Sequence, residues 1–447
     1  MMSITTDTIF ALASGSGRAG IAVMRISGPA TMTALESLTG RGGFEPRSLT
    51  GVTVSAPGTK DAIDRALAVW MPGPGSYTGE DVAELHVHGG RAVVAAVTEA
   101  LSGLADLRPA EPGEFTRRAF QNGKLDLTAA EGLADLINAE TDAQRRQALR
   151  QLKGDLGALY EGWRDGLVRA LAHLEAGIDF IEEDLPADLE RDARAGLAEI
   201  HRAIVGHLAD AHRGEHLRNG LRIAIIGPPN AGKSSLLNCL AKRDVAIVAA
   251  TAGTTRDIIE VHLDLGGYPV VLADTAGLRE SADPVEAEGV RRAGERAREA
   301  DLRLAVLDRA SWPAIDATTA ALVDGDTLVV INKTDLGEPA APLEIKGRPA
   351  LAISVKTGAG IEALLSALGR EVAERCHLSA APAITRARHR RALEDCREAL
   401  ERALGARAPE LIAEDLRLAV RALGRITGRV DIDDILDVVF RDFCIGK

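Results

Sequence analysis

The chain has few cysteines, and they do not cluster. Its four, Cys239, Cys376, Cys396 and Cys444, are scattered without a CxxC. That spacing excludes a structural zinc module, and at 447 residues it argues against a disulfide framework. A reducing cytoplasm is the expected compartment. Also missing is any apolar run near the ~18–20 residues that span a bilayer, so no membrane association is expected. The start, MMSITTDTIF, has neither a basic stretch nor a long apolar core and does not read as a secretory leader. Positive charge is short as well: 53 Lys and Arg against 65 Asp and Glu leave a net charge of −12. Binding of nucleic acid through gross positive charge is thereby disfavoured, although a local basic stripe is still allowed.

What is present is a globular composition, 46% apolar and 26% charged. The length exceeds what one hydrophobic core supports, and about two to four domains are expected. Residues 1–120 read as α+β: strand-like runs such as GIAVMRISG, RALAVWMP and DVAELHVHGG alternate with Gly/Pro turns, and RAVVAAVTEALSGL has helical length and spacing. Residues 121–216 carry a 3.6-residue apolar period rich in Ala, Leu, Glu and Arg, the pattern of long helices. At LRIAIIG the text changes to buried parallel strands alternating with helices, a doubly wound α/β domain over 217–378. Residues 379–447 return to helix and end in CIGK. The predicted architecture is a multidomain one: an N-terminal α+β domain, then an all-α domain into which an α/β domain is inserted.

GPPNAGKS at 227–234 fits GxxxxGK[ST] between a predicted strand and a predicted helix, the context that motif requires. Residues Asn230, Ala231, Gly232, Lys233, Ser234 and Ser235 would wrap phosphates with backbone N–H groups at a positive helix end. Lys233 would reach the β- and γ-phosphates, and the Ser234 hydroxyl would meet Mg²⁺. DTAG at 274–277 ends the next buried strand, giving Asp274, Thr275, Ala276 and Gly277. Thr254 and Thr255 in TTRD offer hydroxyls from a loop, Thr255 to Mg²⁺. NKTD at 332–335 supplies Asn332, Lys333 and Asp335, whose carboxylate can accept from guanine's ring N–H and amine together, while adenine presents an acceptor there. Ser354 and Lys356 in SVK would close over the base. Any one tetrapeptide is weak; four in order at strand ends specify GTP.

Small GTPases orient the attacking water with a Gln after DxxG. Here that position is Leu278, which forms no hydrogen bond, so another group must do this work. Arg279, Glu280, Glu286 and Glu288 are all candidates, set against the bland reading of solvated residues opening a helix. The missing positive charge could come from Arg256, from Arg279, or from a monovalent cation held beside the phosphates with help from Asn230.

With PNAGKSSLLN, AGTTRD, DTAGLRE, SYTGEDVAELHVHGG, PGEFTRRAF and CIGK spread over its whole length, the chain resembles the bacterial tRNA-modification GTPase family MnmE (TrmE). The resemblance implies a Ras-like GTPase domain inserted in the helical domain, and a homodimer held through N-terminal domains of a folate-binding fold. It implies a K⁺-stimulated GTP hydrolase whose GTPase domains pair face to face. With MnmG (GidA), an FAD- and NADH-using partner that joins it in a hetero-oligomer, it would add an aminomethyl or carboxymethylaminomethyl group to C5 of the tRNA wobble uridine. A 5-formyl- or methylene-tetrahydrofolate would donate the carbon, and FAD would enter only through the partner. By the same resemblance K⁺ falls to Asn230, Ala249, Thr251 and Thr254, and water positioning falls to Glu286. Ala249 stands where many relatives have Thr, a small change if the backbone carbonyl is the ligand. Folate falls to Arg25, Glu84, Lys124 and Lys447, with cations suited to the glutamate tail and a carboxylate to the pterin's donor edge.

A tail reaching that pocket would put Cys444 beside the carbon donor, as a nucleophile or for substrate placement. Against this stand a thiol packed on Phe443 and a prenylation signal, which the final Gly446 and Lys447 fit poorly. His86 and His88 share a strand face but lack a third metal ligand, and Cys239 reads as a helix core residue. The Arg-rich stretch TRARHRRALEDCREALERALGAR reads as a solvated face and as the best local candidate for tRNA phosphates. Rival readings are a regulatory GTP switch, as in ribosome assembly, and a one-carbon transferase acting on a small metabolite.

Overall fold

The structure, a computed structural model, describes residues 7–59, 61–179, 187–243, 245–247, 260–274, 295–339, 341, 343–377, 382–430, 436, 439–440, 443 and 445–446. Two compact units emerge, one of Met1–Ala134, Gln151–Arg164 and Arg421–Lys447, the other of Asp135–Arg150 and Asp165–Val420. Among the described residues no helix is long and apolar enough to cross a membrane.

The first unit is built on a six-stranded sheet. In chain order its elements are β1 (Thr8–Leu12), β2 (Ala19–Ser27), α1 (Thr31–Thr39), β3 (Thr50–Ser55), β4 (Ala62–Met71), β5 (Val82–Gly89), α2 (Arg91–Ser102), β6 (Leu107–Pro109), α3 (Glu114–Gln121) and α4 (Leu127–Ile137). Strand order is β3-β4-β5-β2-β1-β6, antiparallel except for the β1–β6 pair. Strand alternation sorts the side chains: Met24 and Ile26 of β2 and Ala83, Leu85 and Val87 of β5 face a core completed by Leu35 and Leu38 of α1 and Leu101 of α2. The opposite face of β2 and β5 carries Arg25, Glu84, His86 and His88. A second cluster joins Leu127 and Ala130 of α4 to Leu436, Phe440 and Phe443 near the C-terminus.

The second unit contains the inserted α/β domain. Helices α5 (Asp142–Leu152), α6 (Asp155–Asp179), α7 (Ala187–Ala209) and α8 (Ala211–Asn219) lead to β7 (Leu221–Ile226), α9 (Lys233–Ala241), β8 (Glu260–Leu265), β9 (Tyr268–Asp274), β10 (Leu302–Asp308), α10 (Ala317–Leu322), β11 (Thr327–Asn332), β12 (Glu344–Ile345), β13 (Arg348–Ala352) and α11 (Ile361–Cys376). The chain then returns to helix in α12 (Ala387–Gly405) and α13 (Pro409–Thr427). Five strands run parallel in the order β13-β11-β10-β7-β9, with β12 and β8 antiparallel at the edges. The apolar runs LRIAII and LRLAVLD are central strands covered on both faces, which is why they read as nearly unbroken rather than alternating. On α11, Ile361, Leu364, Leu368, Val372 and Cys376 recur at three- and four-residue spacing and all enter the same core.

A buried charge cluster ties the first unit together. Arg118 on α3 is 2% exposed and donates to Asp7 Oδ1 at 3.0 Å, Glu114 Oε1 at 3.1 Å and Glu80 Oε2 at 3.2 Å. Arg108 grips both oxygens of Glu114 and also pairs with Asp7. Burial by itself would raise the Glu114 pKa, but hydrogen bonds from Arg108, the Glu111 N–H and Arg118 outweigh it and hold the carboxyl below 4.5. Its folded value is depressed, so this stabilisation is present above about pH 4.5 and is lost as pH falls through the folded value. Arg118→Met removes the shared cation, takes Glu80's arginine away and leaves Arg108 to balance Asp7 and Glu114. Urea unfolding of the full chain at pH 7 is expected to show a loss of ~3–5 kcal/mol. The deficit shrinks as pH falls below about 4.5 and on through the depressed folded value, where the carboxylates protonate. A loss under about 1 kcal/mol would rank the cluster with exposed ion pairs.

Candidate functional site

The strands β7, β10, β11 and β13 end together, and their carboxyl-terminal loops carry the motif residues, as expected for ligand sites on open α/β sheets. The turn from β7 into α9 closes tightly. Gly232 has φ +98, and a Cβ there would lie 2.3 Å from the Asn332 amide nitrogen, so only glycine fits. Asn230 also takes a left-handed conformation, with φ 61, and is exposed, as are Ser234 and Ser235 on the first turn of α9. Lys233 opens α9 and is largely buried; its ammonium donates to the Gly227 and Pro228 carbonyls at 2.8 Å each. A cation held over the phosphate loop at a helix N-terminus makes an anion cradle.

Asn332 ends β11 and is 3% exposed. Its amide nitrogen donates to the Ala231 carbonyl at 2.9 Å, and its oxygen accepts from the Val355 N–H at 3.1 Å. The phosphate loop and the SVK loop are thus pinned to one side chain. Asp335, in the turn after β11, accepts from the Ser354 hydroxyl at 2.7 Å, and the exposed Lys356 ammonium lies 4.0 Å from its other oxygen. The Ser354 bond fixes the carboxylate's plane while leaving it half-committed. Lys333 has φ 68, and its ammonium meets Asp308 Oδ2 at 2.6 Å, a bond that holds the Asp308 carboxyl below its usual range. Sequence reasoning missed Asp308; the signal was a charged residue ending a buried strand next to the one that carries NKTD.

Asp274 is the last residue of β9. Ala249, Thr251, Thr254, Thr255, Thr275, Ala276, Gly277, Leu278, Arg279, Glu280, Glu286 and Glu288 lie outside the described residues, as do Arg256, Cys444 and Lys447. The hairpin β8–β9 connects the two stretches of motif loop, and the helical segment before the insertion grips it. The Ala143 N–H, at the start of α5, donates to the Gly267 carbonyl at the hairpin tip (3.1 Å), and His262 lies 3.2 Å from Glu140. A cavity of about 220 Å³ lies alongside, lined by Asn138, Gln144, Arg218, His262 and Val271 among others.

In the first unit, Arg25 and Glu84 are opposed across β2 and β5 and joined at 3.0 Å. Expected as separate ligands, they form one pair that presents a donor beside an acceptor. Lys124 is exposed and donates to the Pro74 carbonyl at 2.9 Å. His86 and His88 pair with Glu84 and Asp64, and no metal-holding cluster exists among the described residues. Cys239 proves half-buried rather than a core residue, because α9 turns it toward the domain surface. Cys376 and Cys396 are buried, which pushes both thiols up to about 12. The arginines of the 385–407 stretch are largely committed: Arg386 to Asp135 at 2.8 Å, Arg390 to Glu215 at 3.0 Å and Arg402 to Asp415 at 2.8 Å. That favours the bland reading of this face.

Comparison with known proteins covers nearly the whole chain. Residues 8–124 match the family described as GTP-binding protein TrmE N-terminus, and residues 127–444 match the MnmE helical domain. The tRNA modification GTPase MnmE of Paramagnetospirillum magneticum is 57% identical over 442 residues, covering 99% of this chain and 100% of that one. That of Rhodospirillum rubrum is 56% identical over 455 residues, with 99% and 100% covered. A mitochondrial protein of Danio rerio, 5-taurinomethyluridine-tRNA synthase subunit GTPB3, is 48% identical over 467 residues, with 99% and 93% covered. With one family spanning both the strand-rich start and the helical remainder, this chain belongs to the MnmE family of tRNA-modification GTPases.

Proposed function

We propose that this GTPase hydrolyses GTP with K⁺ assistance and, together with an MnmG-type FAD partner, modifies C5 of the tRNA wobble uridine using a tetrahydrofolate one-carbon donor. The observation that carries the nucleotide half is the Asn332 amide, which ties the phosphate loop to the loop that buttresses Asp335. Asp335, with one oxygen oriented by Ser354, supports guanine recognition through the base's two adjacent N–H groups. Lys233 holds phosphate charge at the start of α9. The exposed Ser234 hydroxyl beside it fits a hard cation such as Mg²⁺, with Thr255 as a further ligand and Asp274 acting through water. Exposed at the lip of a loop that already gathers a cation onto two carbonyls, Asn230 fits a share in K⁺, with Ala249, Thr251 and Thr254 completing the set. Bound there, K⁺ would supply the positive charge that an arginine finger gives elsewhere. Glu286 is assigned the task of orienting water, a task Leu278 cannot perform.

The Arg25–Glu84 pair supports the folate half. A guanidinium donor next to a carboxylate acceptor complements the oxo and amino edge of a pterin, and the exposed Lys124 suits a glutamate carboxylate. When bound, the folate would supply the one-carbon unit. Lys447 is assigned to the same site and Cys444 to substrate placement beside it. Homodimer formation through the N-terminal domains, and the division into segments 1–120, 121–216, 217–378 and 379–447, belong to the same reading.

Tests fall on separate steps. Phosphate release is expected to fall at least tenfold when Na⁺ replaces K⁺ and to fall further on dilution; equal rates in both salts at high dilution would remove K⁺-dependent pairing. Asp335→Asn replaces an acceptor by a donor, so GTP affinity is expected to drop by ~10²-fold or more while xanthine nucleotide gains, measured by competition against a fluorescent guanine nucleotide. Mass spectrometry of tRNA nucleosides from a strain lacking the chain is expected to show an unmodified wobble uridine. Retention of the full modification would favour the rival reading of a regulatory GTP switch.

A further inference from the structure

Arg25 does more than face Glu84. Its guanidinium carbon lies 5.6 Å from the Tyr77 ring centroid and 5.7 Å from that of Phe115, both within cation–π range. Nε and Nη2 are each 3.0 Å from Glu84 Oε1. Two rings and one carboxylate fix the planar fork and leave Nη1 directed at the Gly446 carbonyl, 3.4 Å away. The side chain is 17% exposed, so this arrangement is mostly withdrawn from water.

The tail has a seat on three sides. Ile445 forms an antiparallel bridge with Pro112, and Phe443 packs into the cluster of Leu127 and Phe440. Gly446 takes φ +96, and a Cβ there would fall 2.2 Å from the Leu12 carbonyl oxygen and 2.9 Å from the Ala13 Cα. Backbone presses on backbone, so any side chain must push the tail off β1. Tyr77 is itself anchored: its hydroxyl lies 2.7 Å from the Thr116 hydroxyl, and Glu80, three residues on, is held by Arg118.

We propose that Tyr77 and Phe115 are positioning residues that, with Glu84, lock Arg25 as the latch of the C-terminal tail. The latch would keep Ile445 and Gly446 docked on the N-terminal fold before any substrate arrives. Arg25 then serves the tail first, and the buried Arg118 cluster reaches the tail through Glu80 and the Tyr77 loop. The latch stands without the folate reading; only its consequence for uridine modification rests on that reading.

Hydrogen exchange of the C-terminal peptide in the full-length protein tests it. Tyr77→Leu keeps apolar bulk but removes the π face, and about tenfold faster exchange is expected in the peptide containing residues 443–446. Tyr77→Phe keeps the ring and is expected to behave like the parent chain. Arg25→Lys replaces the fork with a point charge and is expected to match Tyr77→Leu. Parental exchange in both Tyr77→Leu and Arg25→Lys would overturn the latch. If Tyr77→Leu lowers the melting temperature of the whole chain, Gly446→Ala gives a second route. It frees the tail without touching the core, and its effect is expected to vanish in the Arg25→Lys background; additive effects would overturn the proposal. Faster tail exchange with wobble modification fully retained would count against the folate reading and leave the latch in place.

Discussion

One side-chain amide holds the nucleotide site in register. Asn332 bonds to a carbonyl 101 residues earlier and to an N–H 23 residues later, and both partners belong to loops with no strand or helix of their own. The parallel sheet brings these loops to the same edge, but proximity alone leaves their relative height free. A buried amide with a donor and an acceptor at fixed geometry removes that freedom, and its burial makes either bond costly to lose. The Ser354–Asp335 bond and the Lys233 cradle both depend on the placement it sets.

Much of this was legible in the sequence, for identifiable reasons. Strands β7, β10 and β11 announce themselves because a central parallel strand is apolar on both faces. The phosphate loop, NKTD and SVK are legible because each sits at the end of such a strand. Pairings across long separations were not. Arg25 and Glu84 could each be named as a ligand, yet their direct opposition follows from the register of β2 against β5, which no local pattern encodes. Arg118 was hidden for a different cause: in EFTRRAF it looks like the solvent face of a short helix, and only its meeting with Asp7, Glu80 and Glu114 makes burial tolerable. Asp308 ends β10 and Lys333 directly follows the end of neighbouring β11, again a fact of sheet order.

The distribution of charge sharpens the question of how tRNA is met. The chain is net acidic, and the arginine-dense helix α12 spends much of its charge on carboxylates of neighbouring helices. Long-range attraction to a polyanion is therefore not this molecule's main resource. Recognition has to come from local contacts or from a partner surface.

Beside the His262–Glu140 contact, the grip of the helical segment on the hairpin includes a main-chain bond at its tip: an N–H of Ala143 and a carbonyl of Gly267. Every residue type but proline carries the same two groups. On the Ala143 side, substitution scans would therefore pass over this bond, whereas Gly267, at φ +89, holds a turn conformation that favours glycine. A mechanical connection written in the backbone is nearly invisible to genetics, and inserting a proline at 143 or shortening the turn is the way to bring it to light.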